Sequence, residues 1–190
     1  MILSDVDIKK ALKGKHLIIS PSPQETDIDT TTIDLKIGDR FLRWDDELVG
    51  QAGVKVTLDL DHFKYKNFSG PYLKDVKAEP NGQFRIDPGI FYLAPTHETV
   101  TLPIKSKLAA RVEGKSSLAR LGLVVHMTAP TIQCGFNGVV TLEIFNYGPF
   151  PILVTPGRTR LCQLILERVS CIPEKGRAGK TFVDQRSPRG

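Results

Sequence analysis

The chain has 190 residues, enough for one domain with a sizeable core, and its 41% hydrophobic and 25% charged content is that of an ordinary globular protein. A net charge of +5 mildly favours anionic partners, but no Lys/Arg block or basic aromatic stripe is present, which argues against a nucleic-acid binder. No apolar run has the length of a signal-peptide core or a membrane span, and the three cysteines lack CxxC spacing, so a soluble cytoplasmic protein with free thiols is expected.

In chain order, "SDVDIKKALKGK" predicts a short first helix. Ser4 is its N-cap, Asp7 stands at the capping-box position, Ile8, Ala11 and Leu12 give helical spacing, and Gly14 ends it. Strand-like runs then dominate: "HLIIS", "TTIDLKIG", "RFLRW", "KVTLDL", "QFRID", "IFYLAP", "ETVTLP", "LAARVEG", "LVVHMT", "GVVTLEIFN", "FPILVT" and "RLCQLILERV". Turn residues in "PNG", "DPG", "YGP" and "PG" separate them, a pattern that predicts an all-β barrel or sandwich. Residues 61–81 are polar and weakly patterned and read as a long excursion between strands, with a subunit contact as one use for it. The basic, Gly-rich residues 173–190 read either as a frayed terminus or as a flap that orders over an anion.

Several short motifs invite chemistry. Gly114-Lys115-Ser116 is the tail of a P-loop, but Ala109 stands where the first glycine is required and Gly122 interrupts any following helix. Glu143 is the sharpest single residue. In residues 138–146 the even positions Val140, Leu142 and Ile144 share one face, and Val139, Thr141, Glu143 and Phe145 share the other. Among such neighbours desolvation would raise its pKa and suit it to proton transfer, although a solvent-facing glutamate is the commoner arrangement. His16, His62, His97 and His126 have no zinc-site spacing, and the H-x-E…P-C-x-x-C pattern of zinc deaminases is absent. Cys134 reads as an incidental thiol rather than a nucleophile.

The block "RVEGKSSLARLGLVVHMTAPTIQCGFNGVVTLEIFN", residues 111–146, closely resembles the dCTP deaminase family of the dUTPase-like fold. That family carries G-[RK]-S-S-L-[AG]-R-L-G-L, then T-A, I-D-P-G and T-L-E. "TTIDLKIG", "TPGRTRLCQLILERV" and the tail "RAGKTFVDQRSP" are similar to further family segments. The resemblance implies a mainly β, distorted barrel or jelly-roll-like subunit over residues 1–172, with residues 173–190 as a flap over the nucleotide. It implies a homotrimer with active sites between subunits.

It also implies roles. Glu143 falls on the family's general acid/base, Ser116 and Arg120 on its companions, and Ala129 on the residue whose carbonyl helps hold the attacking water. Lys115, Ser117, Gln133, Thr141 and Leu142 fall on nucleotide-binding positions, as do Lys180, Phe182 and Gln185 of the tail, with Phe182 in place of a tyrosine. The implied reaction is hydrolysis of dCTP to dUTP and ammonia by glutamate-activated water without zinc, with Mg²⁺ carried on the triphosphate. One departure stands out. The family's I-D-P-G reads "IQCG" here, so Gln133 replaces the aspartate that contacts the sugar and that serves dUTPases as base. An amide accepts no proton, which argues against further hydrolysis to dUMP and pyrophosphate. A relative repurposed for another cytosine nucleotide is the third expectation.

Overall fold

The computed structural model describes residues 1–45, 57–174 and 188. The first helix, α1 (Asp5–Lys13), forms as the sequence predicts. The Ser4 hydroxyl accepts from the Asp7 N–H at 3.5 Å, Ile8 and Ala11 are buried, and Gly14 caps the end. The rest is mainly β: β1 (Ile18–Ser20), β2 (Thr32–Lys36), β3 (Phe41–Trp44), β4 (Leu73–Val76), β5 (Phe84–Ile86), β6 (Phe91–Thr101), β7 (Leu108–Gly114), β8 (Leu123–Val124), β9 (Thr131–Ile132), β10 (Asn137–Asn146), β11 (Ile152–Val154) and β12 (Arg160–Arg168).

One six-stranded sheet runs β4-β3-β6-β10-β8 with β1 also on β6, a four-stranded sheet runs β2-β12-β7-β9, and β11 pairs with β5. Ile33, Leu35, Val112, Leu164 and Leu166 from one large sheet and Ala94, Val140, Leu142 and Ile144 from the other belong to one buried core.

Three departures from the sequence reading have local causes. "IFYLAP" and "ETVTLP" form the single eleven-residue strand β6. Opposite Val140 the pairing steps from Thr99 to Pro95, so β6 carries extra residues there. The Thr96 hydroxyl takes up the Val140 N–H at 3.0 Å, and the irregularity thereby costs no unpaired donor. Of "KVTLDL", residues 55 and 56 lie outside the described residues, and 57–60 form no strand. The excursion is not irregular throughout. It contains helix α2 (Tyr65–Tyr72), and Phe68 packs its ring against Phe63, Trp44 and Tyr72. Trp44 and Phe91 in turn pack on Leu42, Leu73 and Leu93, a second small core on the outer face of the six-stranded sheet.

Buried charge is concentrated beside β2. The Asp27 carboxylate is fully buried and accepts from Lys36 Nζ at 2.8 Å and Arg160 Nε at 2.7 Å. Lys36 Nζ also lies 3.4 Å from Glu98, whose other oxygen accepts the Lys36 backbone N–H at 2.9 Å. Burial alone would raise the Asp27 pKa, but the bonds from Lys36, the Gln24 N–H and Arg160 outweigh it and hold the carboxyl at about 2, against an ordinary 3.8. A carboxyl depressed in this way stabilises the fold above its ordinary pKa, and the contribution fades as pH falls through about 2. The effect is on the order of 2 kcal/mol. Asp27→Asn is therefore expected to lower Tm by on the order of 5 °C at pH 7, with the gap to the parent closing between about pH 4 and pH 2. Thermal melts across that range check this; a gap that persists at pH 2 contradicts it.

Candidate active site

β10 carries the candidate catalytic residue. Its even positions, including Leu142, are buried in the main core, and Val139, Thr141, Glu143 and Phe145 lie half-buried on the opposite face. This is the alternation expected from the sequence. Glu143 is pinned twice to the loop that follows β8. Its backbone N–H donates to the Val125 carbonyl at 3.1 Å, and its Oε2 accepts the Met127 N–H at 3.0 Å. The loop therefore hangs on β10 and brings Ala129 to the same pocket as the carboxylate.

That pocket has a volume of about 450 Å³. Ala129, Gln133, Thr141 and Glu143, all expected at the site, line it. So do Trp44, Tyr65, Phe91 and Leu93, which the sequence reading did not assign. Tyr65, Phe68 and Tyr72 stand at helical i, i+3, i+7 spacing, a signal that the Gly70-Pro71 pair obscured. Burial, and secondarily the nearby Glu143 charge, pushes the Tyr65 phenol above its ordinary pKa. Its hydroxyl donates to the Pro188 carbonyl at 3.1 Å.

The other expected residues lie elsewhere. β7 ends at Gly114, and Ser116–Ala119 form only a four-residue helical turn, α3. This rules out the long helix a P-loop requires. Ser116, Ser117 and Arg120 are exposed, and none lines the Glu143 pocket. Lys115 is held by Asp34, whose two carboxylate oxygens each lie 2.5 Å from its Nζ. Asp34 also lies 3.9 Å from Arg160, which joins the lysine to the buried network around Asp27. Sequence reasoning missed Asp34 because it is distant in the chain. Cys134 is buried with its thiol directed to the Ile104 carbonyl, consistent with an incidental role. Lys180, Phe182 and Gln185 lie outside the described residues.

The turn that bears Ser116 and Arg120 is fixed by backbone contact. Gly122 has φ +87°, and a Cβ there would meet the Gly148 nitrogen at 2.4 Å. A Cβ on Gly148 would in turn meet the Leu121 carbonyl oxygen at 1.9 Å. Both positions require glycine.

These features set the context for comparison with known proteins. The dCTP deaminase-like family model matches residues 2–169, so the chain belongs to that family. It is 39% identical to the "dCTP deaminase, dUMP-forming" of Methanosphaera stadtmanae over 92% of this chain and 82% of that protein. It is 35% identical to the "dCTP deaminase" of Rhodospirillum rubrum over 99% and 94%. Among solved structures, the 2'-deoxycytidine 5'-triphosphate deaminase from Agrobacterium tumefaciens matches with a TM-score of 0.65 and 24% identity over 88% of this chain, which supports the fold. The chain spans 48% of that longer protein. No described helix is long and apolar enough to cross a membrane.

Gly122→Ala is expected to lower Tm by more than about 2 °C, since the left-handed backbone and the clash together exceed about 1 kcal/mol. Scanning calorimetry checks this; an unchanged Tm would show that the segments separate without cost.

Proposed function

We propose that the chain hydrolyses dCTP at C4 of the cytosine, with Glu143 as the base that activates water. The observation that carries this reading is a carboxylate, fixed by the Met127 N–H, in a largely apolar pocket that also takes in Ala129. Glu143 takes a proton from a water held also by Ser116 and the Ala129 carbonyl. The hydroxide attacks C4, and Glu143 returns protons to N3 and to the departing ammonia. Arg120 stabilises the developing charge.

Ser116 and Arg120 lie outside the pocket of their own chain, which supports a homotrimer in which a neighbouring subunit supplies them. Lys115, Ser117, Gln133, Thr141 and the backbone at Leu142 hold the nucleotide, and Lys180, Phe182 and Gln185 close over it from the flap. Among the described residues that line the pocket, Glu143 is the only Asp, Glu, His or Cys. Among the described residues, no group of three or more such side chains could hold a metal. This donor set does not suit a protein-held zinc and accords with Mg²⁺ bound through the triphosphate. A cytoplasmic location fits a nucleotide enzyme of this kind.

The product is dUTP, because Gln133 replaces the family aspartate that would activate water at the phosphate. A second reading is favoured by relatives named dUMP-forming, such as the Methanosphaera protein, and continues to dUMP and pyrophosphate. Glu143→Gln is expected to reduce ammonia release from dCTP by at least 10²-fold while nucleotide binding persists; a loss of less than about tenfold would remove Glu143 from the role. Chromatography of the parent's products decides between the two readings. Ammonia with dUTP is expected, and stoichiometric pyrophosphate would establish the second.

A further inference from the structure

The pocket extends on both sides of Glu143. Ala129, Thr131 and Gln133, from the β9 segment, line one end. On the other side the register leads from Glu143 to its partner Leu93 on β6, and from Leu93 to Leu42 on β3. Phe91, Trp44 and Tyr65 line that end, together with Pro188, whose carbonyl accepts from the Tyr65 hydroxyl. It is an aromatic and aliphatic chamber that lies past the carboxylate, away from the β9 segment.

A cytosine ring has two unlike edges. The C2 carbonyl and N3 need hydrogen-bond partners, and C5 and C6 do not. An apolar wall would leave the first edge unsatisfied at a cost, so the second edge faces it. C5 is bonded to C4, the atom that the water activated by Glu143 attacks, so a group on C5 projects past the carboxylate toward this chamber.

We propose that the site also accepts cytosine deoxynucleotides with a small apolar substituent at C5, and that it deaminates 5-methyl-dCTP. The inference rests on the deaminase reading above. The step is the same: the C4–N bond breaks, a C4–O bond forms from water, one proton of that water goes to N3, and the other leaves with the amino group as ammonia. The product is then thymidine triphosphate. Burying one methyl group in such a chamber is worth up to about a fourfold gain in kcat/KM.

The full chain is assayed with dCTP and 5-methyl-dCTP in parallel, with Mg²⁺, and ammonia and nucleotide are quantified. A kcat/KM for 5-methyl-dCTP equal to that for dCTP, or up to about fourfold higher, is expected. Turnover of dCTP with 5-methyl-dCTP at less than a hundredth of its efficiency overturns the inference and leaves the deaminase reading standing. No ammonia from either nucleotide overturns both. Phe91→Trp, which fills the chamber, is expected to lower the ratio of 5-methyl-dCTP to dCTP efficiency by about tenfold, as a crowded pocket rejects one added carbon. Both nucleotides are measured on one preparation, so partial loss of folded protein cancels from the ratio; an unchanged ratio overturns the placement of the methyl group.

Discussion

The two-residue period of β10 is the constraint on which the rest depends. A slip of one residue would turn Glu143 into the core and put Leu142 and Ile144 in its place. Several contacts prevent it. β6 pairs along most of the strand, Thr96 takes up the Val140 N–H at the irregularity, and Val125 accepts the Glu143 N–H. At the end of the strand the buried Asn146 amide donates to the carbonyls of Ile86 and Phe150 and accepts from the Gly148 N–H. Glu143 therefore has one orientation, and the pocket is assembled around it.

The outer face of the six-stranded sheet is divided between two uses. Over β3 and β4, α2 covers Leu42, Leu73 and Leu93 as a small core. Over β10, the face is left open as the pocket, and the same helix contributes Tyr65 as its wall. The excursion thus protects an apolar sheet face and shapes the cavity at once. The four-stranded sheet leads into the GKSS segment at the end of β7. Asp27, Arg160 and Asp34 form a chain of charges that reaches Lys115, so the lysine stands on a network rooted at a buried carboxylate.

Where local pattern decides structure, the sequence was legible. "LAARVEG" has the boundaries that apolar alternation suggests and "GVVTLEIFN" differs by one residue at its start, both with the expected faces, and Ser4 and Gly14 delimit α1. The excursion was not, because α2 is held by aromatic contacts with Trp44 on a strand some twenty residues away, and Gly70-Pro71 reads as a turn. The motif residues divide in the same way. Glu143, Ala129 and Gln133 are brought together by sheet pairing and by the loop on β10. Ser116 and Arg120 are adjacent to them in the motif but not in the pocket, since their turn is fixed instead by the interlocked Gly122 and Gly148. A linear motif does not record whether its residues meet within one chain.

That separation makes subunit mixing the most direct measurement of the central claim. Glu143→Gln and Arg120→Ala proteins, each deficient alone, are unfolded, mixed in equal amounts and refolded together. In a trimer whose sites draw the two residues from different chains, about one quarter of the sites regain both, and about that fraction of the parent's ammonia release from dCTP is predicted. Activity no greater than the mean of the two variants measured alone would contradict the account.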